Sequence, residues 1–171
     1  HPVVRVLKSF LEDPRIPKCA QNGVLYDTQV LWRIWGVNCK GFREDTLYAH
    51  AAVVPDEAHD LQHIATTFTD TPAWKPPKNK NGHEVWESSE ELHLYNARDV
   101  YNTGLAMGRL RREIAAERTE FPYRLDVMKA HVARGMDRAG LPVDPEPYEA
   151  LRALARESEQ RALEDLRDRT K

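Results

Sequence analysis

Two side chains able to do chemistry stand one helical turn apart in LHLYNARDVYNT, residues 92–103: Tyr95 and Asp99. Positions i and i+4 of a helix share a face, so the phenol and the carboxylate point into the same space. A third group, Asp27, ends NGVLYD at the head of another helical pattern. Carboxylate oxygens are suitable ligands for Mg²⁺ or Mn²⁺. A pair of such ions about 4 Å apart hydrolyses phosphodiesters, one activating water and the other steadying the leaving oxygen. A tyrosine, with an ordinary pKa of about 10, is a poor base at neutral pH. The role open to Tyr95 is therefore to hydrogen-bond and orient an attacking water.

The elements that must position these groups can be read from periodicity and caps. Val3, Val6, Leu7, Phe10 and Leu11 follow a helical period, and the prolines at 14 and 17 break it. A short extended piece at Cys19–Leu25 leads to YDTQVLWRIWG, with Asp27 as the expected N-cap and Gly36 as the stop. The cycle then repeats, with extended GFRE followed by DTLYAHAAVV and Asp45 or Thr46 as its cap. Two successive strand-to-helix units predict an α/β architecture with helices packed on a sheet.

HDLQHIATTF predicts a short helix with Leu61, Ile64, Ala65 and Phe68 inward. TDTPAWKPPKNKNG, residues 69–82, is a long loop. Ser88-Ser89-Glu90-Glu91 opens a helix expected to run to about Glu117. Helices over Arg124–Arg138 and Pro145–Lys171 complete the chain, the last with an apolar stripe at Leu151, Leu154, Leu163 and Leu166. The expected division is a compact body at 1–117 and a helical extension at 118–171.

With 171 residues and 41% hydrophobic content, the chain can build one sizeable core. A net charge of −2 gives no global basic field, so nucleic-acid binding would rest on local patches. Cys19 and Cys39 are the only cysteines and form no CxxC pair, which suits a reducing compartment. No apolar run reaches the roughly 18 residues of a membrane span, and no signal-peptide pattern is visible. The chain starts at His1 and stops inside a helical pattern at Lys171, so the expectation is a segment of a longer polypeptide.

These residues carry a resemblance to a known superfamily. NGVLYD at 22–27 resembles the N-x(2-3)-(F/Y)-D motif, and YNARD at 95–99 the Y-x(3)-D motif, of the DEDD exonucleases in their tyrosine (DEDDy) branch. The histidine (DEDDh) branch would place His where Leu94 stands, and His93 is one residue out of register. REDTLYAHAAVVPDEAHDLQHIATTFTDTPAWK is similar to the segment between those motifs in the proofreading domain of family A DNA polymerases, especially phage-type ones. FPYRLDVMKAHVARGMDRAGLPVD resembles the entry into the polymerase thumb. Either motif alone is weak, but their order and spacing of roughly 70 residues, with the DT and HDL blocks between, make a strong combination.

The resemblance implies an RNase H-like 3′–5′ exonuclease fold, at 1–117, followed by the first thumb helices, at 118–171. It implies Asp99 and Asp27 as ligands of two Mg²⁺ or Mn²⁺ ions, Tyr95 as the residue positioning water, and Asn22 as a contact to the frayed primer strand. The implied partners are the single-stranded 3′ end of DNA and the rest of the polymerase chain, without a membrane, in the cytoplasm of a bacterial or phage-infected cell. One departure matters: the family's upstream D-x-E motif is not found before Asn22, since Glu12 and Asp13 sit at a helix end. The resemblance implies that this motif precedes His1, and the isolated 171-residue chain is then expected to be inactive or nearly so. Alternatives are a stand-alone DEDDy exonuclease of RNase D or helicase-associated type, or a non-catalytic nucleic-acid-binding module on a degenerate exonuclease fold.

Each group also has a plainer reading. Asp27 can serve only as a cap, Asp99 can pair with nearby arginines, Tyr95 can be half-buried packing, and Asn22-Gly23 can be a simple turn. Asp45, the rival acid, is assigned to capping. His59 and His63 at i, i+4 match zincin spacing with Asp60 at the base position and His83 or Glu84 as third ligand. Asp is one methylene short of the usual Glu, so the plainer reading is that His59 caps the helix. In WKPPKNKNGHEVW, Trp74 and Trp86 alternate with Lys75, Lys78 and Lys80, a pattern that suits single-stranded nucleic acid or a lysine-rich surface loop.

Overall fold

The structure, a computed structural model, describes residues 2–76 and 88–169. Lys78, Lys80, His83, Glu84 and Trp86 therefore lie outside the described residues. Helix α1 (Pro2–Glu12) has the expected period and no buried residue. Its C-terminal end is pinned to the segment before the second strand: Lys40 N donates to Leu11 O at 2.9 Å and Asn38 N to Glu12 Oε1 at 2.8 Å.

Strand β1 (Lys18–Ala20), helix α2 (Asp27–Trp35), strand β2 (Phe42–Asp45) and helix α3 (Thr46–Val53) form the two predicted strand-to-helix units. The strands pair in parallel, with Lys18 opposite Phe42 and Ala20 opposite Asp45, and a register irregularity between Lys18 and Cys19. A parallel pair requires a crossover, which α2 supplies. Gly36 stops α2 in the left-handed region, at φ 61°, where a Cβ would be strained.

The first strand is shorter than the sequence suggests. It ends at Ala20, and residues 21–26 form turns instead of an extended lead into α2. Asn22 is left-handed at φ 55°, and Tyr26 N donates back to Asn22 O at 3.0 Å. Gly23 is required by space: a Cβ there would meet the Ala20 Cβ at 2.3 Å. Gly23→Ala is expected to destabilise the chain by about 1–2 kcal/mol through overpacking, read as a lower denaturant midpoint at unchanged slope.

Helices α4 (Leu61–Phe68) and α5 (Ser89–Glu117) complete the core. Asp60 caps α4, its side chain accepting from the amides of Gln62 and His63, while Ser88 caps α5 by accepting from Glu91 N. The cap expected at His59 is thus held by Asp60, whose short carboxylate reaches the first-turn amides. The core joins Ala49 of α3, Ile64 of α4, and Ala106, Met107, Leu110 and Ile114 of α5.

Helix α6 (Glu120–Ala139) starts earlier than its sequence pattern suggests and adds Tyr123 and Val127 to that core. The Asp45 amide donates to the Tyr123 hydroxyl at 3.3 Å. One compact unit accordingly runs through Asp137 and a second covers Arg138–Lys171. The expected boundary at 117 and the compact one differ by the length of α6, because its buried face has partners in the first unit. In the second unit, helix α7 (Pro145–Arg169) has no buried residue, and Leu151, Leu154, Leu163 and Leu166 are exposed. Among the described residues, no helix is long and apolar enough to cross a membrane. The described residues are mostly helical, with a small two-stranded parallel sheet in the first unit.

Candidate functional site

A cavity of about 800 Å³ opens where the end of β1, the start of α2, the residues before α4 and one face of α5 meet. Asn22, Asp27 and Asp99 all line it, although two of these precede the third by more than a third of the chain. On α5 the lining residues are Asp99, Val100, Thr103 and Gly104, one helical face. Tyr95 continues that face one turn earlier, is half-buried, and is not among the residues lining the cavity. Thus the structure brings together three of the four predicted residues and leaves the tyrosine a turn away.

Asp27 is not a cap. The N-cap position of α2 is Tyr26, which makes no side-chain capping bond, and Asp27 is the first helical residue. Asp27 therefore stands one position inside the residue whose side chain would cap the N2 or N3 amides. Desolvation raises the Asp27 pKa, its own backbone amide opposing the rise. A carboxyl held this way at a cleft is what a bound cation would relieve.

Asp99 is fixed by a neighbour from the loop. The Trp74 indole N–H donates to Asp99 Oδ1 at 2.8 Å. Trp74 is positioned in turn by Gln62 of α4, whose Oε1 accepts from the amides of Trp74 at 3.1 Å and Lys75 at 2.8 Å. Lys75 also lines the cavity, with its Nζ 3.8 Å from Asp60 Oδ1. Trp74, which the sequence offers either as a stacking platform for single-stranded nucleic acid or as part of a lysine-rich surface loop, acts here as a hydrogen-bond donor to a carboxylate, a role that no local pattern announces.

Asp45 organises the loop that carries Asn22 and Asp27. Fully buried, it accepts from Asn22 N at 2.8 Å, Val24 N at 3.4 Å and Leu47 N at 3.0 Å. It caps α3 as expected, and also gathers the 22–24 turn against the end of β2. Burial pushes its pKa up to about 6, against the lowering effect of those amides. Gln21 adds a second tie: its Nε2 donates to His59 O at 2.7 Å, and its Oε1 accepts from the Thr46 hydroxyl.

Asp27, Asp60 and Asp99 give the cavity three carboxylates against one lysine, Lys75. That donor set, hard oxygens in a partly desolvated cleft, fits Mg²⁺ or Mn²⁺ better than softer metals. The zincin arrangement does not form. Helix α4 begins at Leu61, so His59 lies before it and cannot share a helical face with His63. His59 turns its Nδ1 to His50 Nδ1 at 2.7 Å instead. No protein-family model matches the chain, and neither a curated protein nor a solved structure does.

Proposed function

We propose that this chain is the C-terminal portion of a 3′–5′ exonuclease domain, RNase H-like in fold, from a family A DNA polymerase, followed by the first thumb helices. The observation that supports the reading best is the common cavity of Asn22, Asp27 and Asp99. A chance pair of short motifs would have no reason to put its aspartates in one cleft. The parallel strand pair with its crossover helix is compatible with part of an RNase H-like sheet.

The assigned roles follow from chemistry. Asp99 and Asp27 would hold the two ions, with the remaining carboxylates supplied by the D-x-E strand that the resemblance implies. When bound, Mg²⁺ or Mn²⁺ lowers the pKa of an attacking water and offsets charge on the leaving oxygen. The Trp74 indole restricts the Asp99 carboxylate to one orientation, so one oxygen stays directed to its ligand. Tyr95 would orient the water through its phenol from the same helical face. Asn22 would touch the terminal nucleotide, the exposed Tyr26 ring would stack on a base, and Lys75 would pair with a phosphate. The product would be a nucleoside monophosphate released from a single-stranded 3′ end.

Mn²⁺ titrated into the purified chain provides the test. Paramagnetic broadening of amide signals is expected to centre on Asn22, Asp27 and Asp99, and to require at least about tenfold more Mn²⁺ in the Asp27→Asn/Asp99→Asn double variant. A short single-stranded oligothymidylate should shift signals from the same cleft. Broadening indifferent to the double substitution would refute the reading.

A further inference from the structure

A second cluster of metal-type ligands lies outside the cavity and is built from different atoms. His50 on α3, Glu57 in the connection between α3 and α4, and His63 on α4 each offer one ligand atom, and these atoms lie within 4.8 Å of one another. Glu57 Oε2 is already 2.8 Å from His63 Nε2. His50 is completely buried, and its Nε2 has no hydrogen-bond partner among the described residues. Its other ring nitrogen, Nδ1, is engaged by His59 Nδ1 at 2.7 Å, so Nε2 is the atom left for a ligand. A buried imidazole nitrogen without a partner is costly in a finished core and calls for an occupant.

We propose that His50, Glu57 and His63 bind one zinc ion that ties α3 to α4. Two imidazoles and a carboxylate are the donor set that suits Zn²⁺, whereas Mg²⁺ prefers all-oxygen surroundings. Zinc–ligand bonds of about 2.0–2.2 Å place tetrahedral ligands about 3.4 Å apart. The widest separation therefore closes by up to about 1.4 Å while the Glu57–His63 pair opens by about 0.6 Å, shifts that exposed Glu57 and half-exposed His63 can supply by rotation. His50 stays still, held by a T-shaped contact with the Phe68 ring, centroids 5.4 Å apart, and by His59. His59 acts as the outer partner that fixes the His50 tautomer, a recurrent arrangement around zinc histidines.

The site has a mechanical consequence for the neighbouring cleft. His59, Asp60 and Leu61 form part of the cavity wall and directly follow the Glu57 connection. A zinc ion joining residues 50, 57 and 63 would close that connection into a short covalent-like loop and hold the wall in one shape. The proposal does not rest on the exonuclease reading, because it uses none of the carboxylates assigned there.

Zinc competition against a metallochromic indicator, with metal-free chain, tests it. One equivalent of Zn²⁺ should bind, the melting temperature should rise with zinc concentration, and cobalt(II) in its place should show the visible bands of a tetrahedral site. His63→Asn and Glu57→Gln, both on accessible side chains, should each weaken binding by at least about tenfold with far-UV circular dichroism unchanged. His59→Asn should weaken it less, and the Asp27→Asn/Asp99→Asn variant not at all. Stoichiometry below one, indifference to His63→Asn and Glu57→Gln, or loss in the double aspartate variant would each overturn the zinc site. Those outcomes are independent of Mn²⁺ behaviour in the cleft.

Discussion

On the exonuclease reading, replacing Asp99 by Ala in a polypeptide that joins this segment to the D-x-E strand and polymerase body which that reading implies is expected to reduce 3′–5′ digestion of single-stranded DNA about a thousandfold. Primer extension should stay within about twofold. The magnitude follows from the several kcal/mol that a catalytic ion contributes to charge stabilisation, about 4 kcal/mol corresponding to three powers of ten. The selectivity follows from geometry. Asp99 is half-exposed on the cavity face of α5 and takes no part in the core of Met107, Leu110 and Ile114 further along the helix. Its one described side-chain partner is the Trp74 indole, whose N–H can turn to water once the carboxylate is gone. Single-turnover digestion of a 3′-labelled oligonucleotide, beside extension of a paired primer, measures both activities. If extension collapsed together with digestion, Asp99 would be a folding residue and the metal assignment would fail.

The second large effect belongs to Asp45. Asp45→Ala is expected to cost about 2–4 kcal/mol, because it removes an N-cap and leaves the buried amide of Val24 and the partly buried amides of Asn22 and Leu47 without their acceptor. Asp45→Asn keeps one acceptor oxygen and should cost less. The ionised carboxylate carries its own penalty, however, since burial raises its pKa from the ordinary 3.8 to about 6.

Between those two values the native chain holds a proton that the unfolded chain has released. Native protons then exceed unfolded ones, so stability falls as pH rises from about 4 to about 6 and levels off above. The loss is on the order of 2–3 kcal/mol. Urea unfolding of the parent and Asp45→Asn across that window reads the effect as a difference, which should shrink toward neutral pH. A parent curve no steeper than the variant's would mean that Asp45 ionises freely and is not desolvated. Because the same carboxylate holds the 22–24 turn, Asp45→Ala should also loosen Asn22 and Asp27, visible as faster amide exchange there.

Much of this chain is legible in short stretches of its sequence. The stop at Gly36, the Ser88 cap of α5 and the inward face of Leu61, Ile64 and Ala65 all depend on groups within four residues of one another. Such short-range preferences act wherever the segment finds itself. The repeated strand-to-helix pattern likewise predicts helices packed on a sheet, and the structure pairs the two strands in parallel because the crossover helix leaves little other choice. Local reading erred where two neighbouring groups competed for one role. Asp60 displaced His59 as the α4 cap, and Tyr26 stands at the α2 cap in place of Asp27, in both cases by a shift of one residue.

What sequence alone determined, then, is the set of helices, the caps at Asp45 and Ser88, the stop at Gly36, and the residue types chemically equipped to bind metal. Tertiary structure decided which of those residues meet. Asn22 and Asp27 reach Asp99 only because β1 and β2 pair in parallel and α5 packs across α3 and α4. Asp45 gains its hold on the 22–24 turn through the same pairing, and His50 finds Glu57 and His63 only after the connection between α3 and α4 folds back. Contacts between distant residues require loop closure and burial of a shared core, and neither leaves a mark on the short stretches of sequence it joins.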